Sequence, residues 1–366
     1  MKISRIAQLG AVAAIAALTL AGCASNEGGT ASSPAEDAPA GLAGTLNGSG
    51  ATSQQVAVQA WTAEFQTANP DVTVNYDPQG SGTGRESFQS GAVSFAGSDR
   101  AFKAEELEEG PFDACVEGSD IVEIPAYVSP IAIAFNLEGV DSLSIDPATL
   151  AGIFAGTITN WNDPAIAVTN DGVELPDLAI TPVHRSDKSG TTANFTDYLA
   201  QTAETVWTYD SVEEWPIQGG EAAQGTSGVV NAIKGGNGTI GYADHSQTAE
   251  LSTVSVQVGD EWVEPSAEGA AIALDASPLE EGRASTDLAF TIDRTTTEAG
   301  AYPVVLVSYL IGCVEYADTE QAALVKGFFS TAISEAGQAT AAENAGSAPI
   351  SADLATKAQA AVDAIK

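Results

Sequence analysis

The sequence predicts an α/β protein built from two lobes. Segments with the pattern of short strands alternate along the chain with segments of helical apolar spacing, which is typical of α/β architecture. About 320 residues follow the N-terminal leader and tether described below, and that length is enough for two ordinary lobes. Hydrophobic residues make up 44% of the 366 residues, the content of a globular rather than a disordered protein.

Apolar periodicity places the individual elements. Strands are predicted at 72–76, 93–97, 121–136 and 304–311. Helices are predicted where these core-facing residues recur: Val58, Trp61 and Phe65; Leu150, Ile153 and Phe154; Phe195, Tyr198 and Leu199; Leu324 and Phe328; and Leu354, Ala358, Ala361, Val362 and Ile365. Asp146 and Pro147 supply a cap and a first-turn proline for the second of these helices.

The N-terminus has the pattern of a secretory signal peptide, predicted over residues 1–22. Lys2 and Arg5 precede an apolar run, and small residues follow it. The ending Leu20-Ala21-Gly22-Cys23 resembles the lipobox of bacterial lipoproteins, in which the Cys becomes the lipid-modified N-terminus of the mature chain. We therefore expect lipidation of Cys23. The alternative is an ordinary signal peptide with an incidental Cys. A membrane-spanning helix is not indicated, because the apolar run is too short.

Residues 23–43 are rich in Ser, Ala, Gly, Pro and acidic residues. Such a segment cannot bury enough apolar surface to offset the entropy that ordering would cost. We interpret it as a flexible tether between the anchor and the folded part of the chain.

The chain carries a formal net charge of −36, which argues against nucleic acid as a partner. The same charge raises an objection to any anionic ligand. That objection assumes that the ligand is held by the overall field of the protein. A desolvated site can instead hold an anion with backbone N–H groups and one arginine, so an anion site remains compatible with the composition.

Three cysteines are present, and lipidation of Cys23 would leave Cys115 and Cys313 as an even pair. Because the signal peptide predicts export to an oxidising compartment, we expect a disulfide between them. The alternative is two buried free thiols. Metal binding is not indicated, since there is no CxxC motif and only two histidines.

Four short segments combine Gly, Ser and Thr near a predicted helix start or strand end. They lie at 48–53, 80–84, 96–100 and 184–191. Helix starts expose unpaired N–H groups at the positive end of the helix dipole, and hydroxyls add donors without adding charge. Four such segments in one chain predict an anion site. Nucleotide binding is not indicated, because 80–84 is neither a GxGxxG motif nor followed by a P-loop lysine.

The first of these segments also carries a local capping signal. Thr52 and Gln55 fit a capping box for the helix that contains Trp61.

With these segments the chain resembles the phosphate-binding proteins of bacterial phosphate ABC transporters, over essentially all of residues 44–366. The matching stretches are 48–52, 80–84, 95–99, 158–163, 185–191 and 238–242. The stretch at 128–132 and the two later cysteines resemble the lipoprotein type found in actinobacteria, the high-GC Gram-positive bacteria.

The resemblance implies a two-lobe fold of the type II periplasmic-binding-protein class, with a ligand cleft between the lobes. Lobe one would comprise 44–126 plus 304–366 and lobe two 127–303, so the chain would cross twice and form a hinge. The implied function is high-affinity capture of inorganic phosphate outside the cell membrane and its delivery to an ABC-type permease. We expect a monomer without enzymatic activity or cofactor that meets the membrane only through its lipid anchor.

The resemblance also implies the phosphate contacts, carried over position by position. They are Thr52, Ser53, Ser81, Ser98, Asp99, Arg185, Ser189, Gly190 and Thr191. The family often has Phe where this chain has Ser53. That contact uses a backbone N–H, so the change should be tolerated.

Physical chemistry gives the charged members of this set distinct roles. Arg185 would supply the only full positive charge through bidentate hydrogen bonds, and Asp187 would orient its guanidinium. Asp99 would repel an anion unless the ligand has a proton to donate. Phosphate near neutral pH has such a proton and sulfate has none, so Asp99 would select phosphate.

Two alternatives stay open from the residues alone. One is a binding protein for another oxyanion, such as sulfate or molybdate. The other is a phosphatase with Ser81 or Ser189 as nucleophile and His184 or Asp99 as base, which would need a nucleophile–base pair or a metal.

Overall fold

A computed structural model describes residues 41–366 of the chain. The predicted signal peptide, the lipidation of Cys23 and nearly all of the tether lie outside the described residues. Strands and helices alternate through most of the described chain, as the sequence predicts, and together they form a single sheet flanked by helices.

The strands are β1 (Ala43–Gly50), β2 (Asp71–Asp77), β3 (Phe95–Ser98), β4 (Ile121–Asn136), β5 (Ser142–Ile145), β6 (Thr181–Arg185), β7 (Glu221–Ala223), β8 (Thr239–Asp244), β9 (Ser252–Val258), β10 (Glu261–Val263) and β11 (Val305–Cys313). The helices are α1 (Gln55–Ala68), α2 (Ser81–Gln89), α3 (Ala104–Glu109), α4 (Pro147–Phe154), α5 (Pro164–Ala167), α6 (Gly190–Thr202), α7 (Gly225–Gly235), α8 (Ala267–Asp275), α9 (Thr319–Ile333), α10 (Glu335–Ala345) and α11 (Ala352–Asp363).

The sheet runs in the order β2-β1-β3-β11-β4-β8-β6-β7. We call β2, β1, β3, β11 and the start of β4 the first sheet half. β1 is parallel to β2 and β3, and β11 is antiparallel to β3 and β4. The end of β4, with β8, β6, β7, β9, β5 and β10, forms the second sheet half. There β4 is antiparallel to β8 and β9, and β6 is parallel to β8.

Strand β4 connects the two sheet halves. Its residues up to Pro130 pair with β11, and those from Ile131 onward pair with β8. Almost every residue of β4 is buried, which explains the continuous apolar run in the sequence. The pairing with β11 shifts register between Ser308 and Tyr309, where the next paired residue of β4 is Pro125, which has no N–H to donate to a ladder.

Aromatic residues fill the core of the first sheet half. Phe95 lies at the centre, with ring centroids 5.3 Å from Phe328 and 6.0 Å from Phe329. Gly48 on the neighbouring strand faces this ring, and a Cβ there would lie 2.2 Å from a ring carbon. Glycine at position 48 therefore lets the large ring fill the space beneath the sheet.

Several local predictions can be compared with the structure directly. The strand at 121–136 and the Asp146 cap of α4 are confirmed; the Asp146 carboxylate accepts from two N–H groups of the first turn. The strand predicted at 93–97 begins later, at Phe95. The capping box of Thr52 and Gln55 is wrong, because α1 begins at Gln55 and its first turn has no side-chain cap.

Cys115 and Cys313 form the predicted disulfide, with their Cα atoms 5.3 Å apart. The bond joins the loop before β4 to the end of β11, so it lies within the first sheet half. The alternative of two free thiols is thereby excluded for this structure. The two cysteines are 198 residues apart in sequence, and closing a loop of that length lowers the entropy of the unfolded chain by the equivalent of about 5 kcal/mol.

Replacing both Cys115 and Cys313 with Ser should lower the free energy of unfolding by about 2–5 kcal/mol, because the unfolded chain regains loop entropy. Urea denaturation of the oxidised protein and the double variant measures this difference. Wild-type protein in reductant is the matched control and should resemble the variant. Equal stability of the oxidised and reduced forms would contradict this prediction.

Candidate anion-binding site

The four glycine-rich segments converge where the two sheet halves meet. Three come from the first sheet half and are bonded to one another: the N–H of Gly80 donates to Gly50 O (2.8 Å), and that of Ala51 donates to Gly97 O (2.8 Å). The fourth reaches them from the second sheet half, where Lys188 O accepts from the Gly82 N–H (3.1 Å).

Asp99 lies at the centre of this convergence and is 3% exposed. Its Oδ1 accepts from the hydroxyls of Ser53 (2.5 Å) and Ser308 (2.8 Å), and its Oδ2 accepts from Thr191 Oγ1 (3.0 Å). Burial raises the pKa of Asp99 above its ordinary value, while these three hydroxyls and the charge of Arg185 act in the opposite direction. The carboxylate therefore sits in a dry environment that supplies donors for its ionised form.

The start of α6 approaches Asp99 closely. A Cβ at Gly190 would lie 2.5 Å from Ser81 Oγ and 2.7 Å from Asp99 Cβ, so only glycine permits this approach. Ser81 Oγ accepts from the Asp99 N–H (3.1 Å), and Asn194 Nδ2 donates to Asp99 O (2.6 Å). Helix α6 is thus anchored on the backbone and the side chain of Asp99.

Arg185 ends β6, and its side chain is 2% exposed. Its Nε donates to Asp187 Oδ1 (2.8 Å), and its Nη2 contacts Oδ2 of the same carboxylate. Burial disfavours the Asp187 carboxylate, but the bond to Arg185, its charge and the Gly225 N–H outweigh that effect and lower the pKa of Asp187. Asp187 therefore holds the guanidinium in one orientation through two of its nitrogens.

Ser189 and Thr52 use their hydroxyls to position neighbouring helices. Ser189 caps α6 by accepting from the Thr192 N–H (3.1 Å). Thr52 Oγ1 pairs with Thr226 Oγ1 (2.9 Å) and accepts from the Thr226 N–H (3.1 Å) at the start of α7. Two helix N-termini, those of α6 and α7, are thereby fixed beside the predicted residues, and their first-turn N–H groups have no partner within the helix.

The structure gives Ser98 a different environment from the other predicted contacts. Its hydroxyl accepts from Arg85 Nη1 (2.7 Å) and donates to Arg100 O (2.6 Å). The side chain is therefore committed to holding these two arginine segments, so a contact from Ser98 to a ligand would have to come from its backbone.

A cluster of charged side chains joins the two sheet halves beside the site. Glu213 accepts from Arg85 Nη2 (2.6 Å) and Arg100 Nη2 (2.9 Å), and Arg100 also pairs with Glu106 (2.6 Å). Burial raises the pKa of Glu213, but the two arginines outweigh it and the net direction is downward. These carboxylates offset the charges of Arg85 and Arg100, whereas the charge of Arg185, itself paired with Asp187, favours the ionised form of Asp99.

The sequence reasoning missed two residues of this arrangement. Ser308 is the one Ser or Thr in the mostly apolar strand β11, and that isolation is a signal that could have drawn notice. Thr226 follows Gly225 at the start of α7, which repeats the composition of the four recognised segments. Neither residue could be placed next to Asp99 or Thr52 without the fold.

His184 does not lie against either candidate nucleophile. Its ring stacks on Trp215 with centroids 5.1 Å apart, and its two nitrogens face Arg185 O (3.0 Å) and Gly219 O (3.2 Å). Among residues 41–366, no group of three or more His, Cys, Asp or Glu side chains is arranged to hold a metal ion. In that same part of the chain, no helix is both long and apolar enough to cross a membrane.

The comparisons with known proteins agree with this geometry. A family model described as a PBP superfamily domain matches residues 35–336. Solved structures with the same fold include a high-affinity periplasmic phosphate-binding protein (PfluDING) bound with phosphate, at 24% identity and a TM-score of 0.68, covering 86% of this chain and 93% of that one. A phosphate-binding protein from Stenotrophomonas maltophilia has 19% identity and a TM-score of 0.64, covering 87% and 93% of the two chains. The fold is therefore the type II, two-lobe fold of periplasmic-binding proteins.

Curated relatives narrow this class to one family. Phosphate-binding protein PstS 3 of Mycobacterium tuberculosis is 32% identical over 376 residues and covers 100% of both chains. Phosphate-binding protein PstS of Xylella fastidiosa is 30% identical over 293 residues, or 78% of this chain and 76% of its own. The chain belongs to the PstS family of phosphate-binding proteins.

Proposed function

We propose that this chain captures inorganic phosphate outside the cell membrane and delivers it to an ABC-type permease. The observation that carries the proposal is the buried carboxylate of Asp99, placed beside an oriented arginine and two helix N-termini. Family membership supports it, because the relatives are named phosphate-binding proteins. The predicted contacts Thr52, Ser53, Ser81, Ser98, Asp99, Arg185, Ser189, Gly190 and Thr191 stay our proposed set, with Ser98 acting through its backbone.

The proposed ligand is held by local donors rather than by the charge of the whole protein. Arg185 supplies one full positive charge, and Asp187 keeps its guanidinium in place. Backbone N–H groups at the start of α6 and side-chain hydroxyls supply the remaining hydrogen bonds. In a site this dry such bonds are strong, so they outweigh the long-range repulsion of an acidic surface.

Asp99 provides the specificity for phosphate. An ionised carboxylate can only accept hydrogen bonds, so the ligand oxygen facing it must carry a proton. Phosphate near neutral pH has at least one proton. Sulfate has none and would place two hydrogen-bond acceptors against each other in a buried site. Leaving buried polar groups unpaired in this way lowers affinity strongly.

The two sheet halves support the division into lobes at 44–126 plus 304–366 and at 127–303. Strand β4 passes from one half to the other between Pro130 and Ile131, close to the first proposed crossing. The second crossing would lie just before β11. Contacts such as Glu213 with Arg85 join the halves in this structure, and they are the contacts that closure over a ligand would form.

We place the protein on the outer face of the membrane as a lipid-anchored monomer. The lipobox-like ending at Cys23 supports the anchor, and the Cys115–Cys313 disulfide agrees with an oxidising compartment. The hydrolase alternative has less support. The Ser189 hydroxyl caps α6, the Ser81 hydroxyl bonds to the backbone N–H of Asp99, and the His184 nitrogens face backbone oxygens. None of these contacts pairs a serine nucleophile with the base that it would need.

Arg185→Ala should weaken phosphate binding by at least about 30-fold, since it removes a desolvated charge partner of the ligand. Isothermal titration calorimetry with phosphate measures the change. Lys357→Ala is the matched control, because it removes the same charge from an exposed residue paired only with Asp353, and it should bind as the wild type does. Undiminished binding by Arg185→Ala would discredit the proposed site.

Asp99→Asn should keep most of the phosphate affinity but bind sulfate at least about tenfold better, because an amide can donate to an unprotonated oxygen. Titration of both anions into the variant and the wild type gives the ratio of affinities. Asp353→Asn at the surface is the control. Tight binding of both anions by the wild type, or a ratio that Asp99→Asn leaves unchanged, would remove the role assigned to Asp99.

Gly190→Ala should lower phosphate affinity by about 5- to 150-fold, because the added methyl group separates α6 from Ser81 and Asp99. Gly235→Ala is the control, since a Cβ there meets no atom within 4 Å and affinity should stay at the wild-type level. Equal affinities of the two variants would show that the close approach of α6 does not matter for binding.

A further inference from the structure

Two serines converge on a single oxygen of Asp99. Ser53 precedes α1 and Ser308 lies in β11, 255 residues apart in sequence, yet both hydroxyls donate to Oδ1 at 2.5 and 2.8 Å. Both serines are completely buried. Within the described chain, neither hydroxyl makes a hydrogen bond to any other group.

The direction of these hydrogen bonds follows from the chemistry. An ionised carboxylate has no proton to donate, so the two serine hydroxyls must be the donors. A hydrogen bond to a charged group is stronger than one between neutral groups. The serines therefore stabilise the ionised form of Asp99 at a position where burial alone favours the protonated form.

We propose that Ser53 and Ser308 are positioning residues that keep Asp99 ionised, and that they thereby set the pH below which the site admits an oxyanion with no proton of its own. This inference rests on the proposed function as a phosphate-binding protein. On this view the two serines determine how far the pH must fall before the site stops distinguishing phosphate from fully ionised anions such as sulfate. Neither serine side chain needs to touch the ligand.

The charged and titratable groups around Asp99 come from several elements and act in both directions. Arg185 at the end of β6 favours the ionised carboxylate. Asp244 at the end of β8 disfavours it, and burial raises the pKa of Asp244 itself to about 6. Tyr76 in β2 interacts with the charge of Asp99, and its hydroxyl donates to Ala51 O (2.9 Å). None of these groups replaces the serines, since each lacks a hydrogen bond to the carboxylate.

Removal of one hydroxyl donor extends sulfate binding to higher pH. Loss of a serine hydroxyl raises the pKa of Asp99, so the carboxyl group is protonated at a higher pH. A protonated carboxyl group can donate to sulfate, and sulfate binding then extends to higher pH. Phosphate affinity changes by a smaller factor, because the shared proton can reside on either Asp99 or the ligand.

The test measures sulfate and phosphate affinities by calorimetry from about pH 4 to about pH 9, the range around carboxyl and phosphate titration. The proteins are wild type, Ser53→Ala, Ser308→Ala and Ser277→Ala. Ser277 is the matched control, since its buried hydroxyl bonds only to Ala273 O and the Asp293 N–H. We expect sulfate affinity to rise about tenfold in Ser53→Ala and Ser308→Ala, with its pH profile moved up by about one unit, and to stay unchanged in Ser277→Ala.

The outcomes separate this inference from the proposed function. Wild-type protein that does not bind phosphate refutes the proposed function itself. If the wild type binds phosphate but the sulfate profiles of Ser53→Ala and Ser308→Ala coincide with that of Ser277→Ala, the inference about the serines is wrong. Thermal unfolding checks each variant, and because Ser53 lies in a loop rather than in the sheet, Ser53→Ala decides the question if Ser308→Ala does not fold.

Discussion

The buried carboxylate of Asp99 is the interaction on which the rest of the site depends. Because it is buried away from water, its ionised form needs donors from several directions, and they come from the loop before α1, from β11 and from α6. Its backbone adds bonds to Ser81 and Asn194. Segments from both sheet halves therefore meet at this point. A buried carboxylate without hydrogen-bond partners would destabilise the fold by more free energy than any single one of these contacts contributes.

The acidity of the chain and the proposed anion site are compatible because their charges act over different distances. A net charge of −36 produces a field that mobile ions screen within about 8–10 Å of the surface. Within the site, Arg185 and the helix starts act at hydrogen-bond distance and are shielded from water. Arg85 and Arg100 are paired with Glu213 and Glu106, whereas Arg185, held by Asp187, is the arginine that we assign to the ligand.

Strand β4 joins the two sheet halves of the fold. One continuous buried strand therefore connects the two halves whose segments meet at Asp99. The disulfide ties the end of β11 to the loop before β4, so this cross-link lies within the first sheet half and does not bridge the two halves. In this arrangement the two halves can contact each other through side chains that separate at low cost, such as the exposed pair of Lys188 and Glu86.

Local sequence pattern predicted the α/β alternation, strand β4 and the Asp146 cap, and the even number of cysteines left after Cys23 predicted the disulfide. These features depend on neighbours in the chain or on a simple count, and motif likeness selected the residues of the proposed site. Only the tertiary structure decided where the hydroxyls point. Ser98 faces two arginine segments, Thr52 joins α7 instead of capping α1, and Ser308 reaches Asp99 across 209 residues of sequence. Such pairings follow from strand register and packing, which no local pattern encodes.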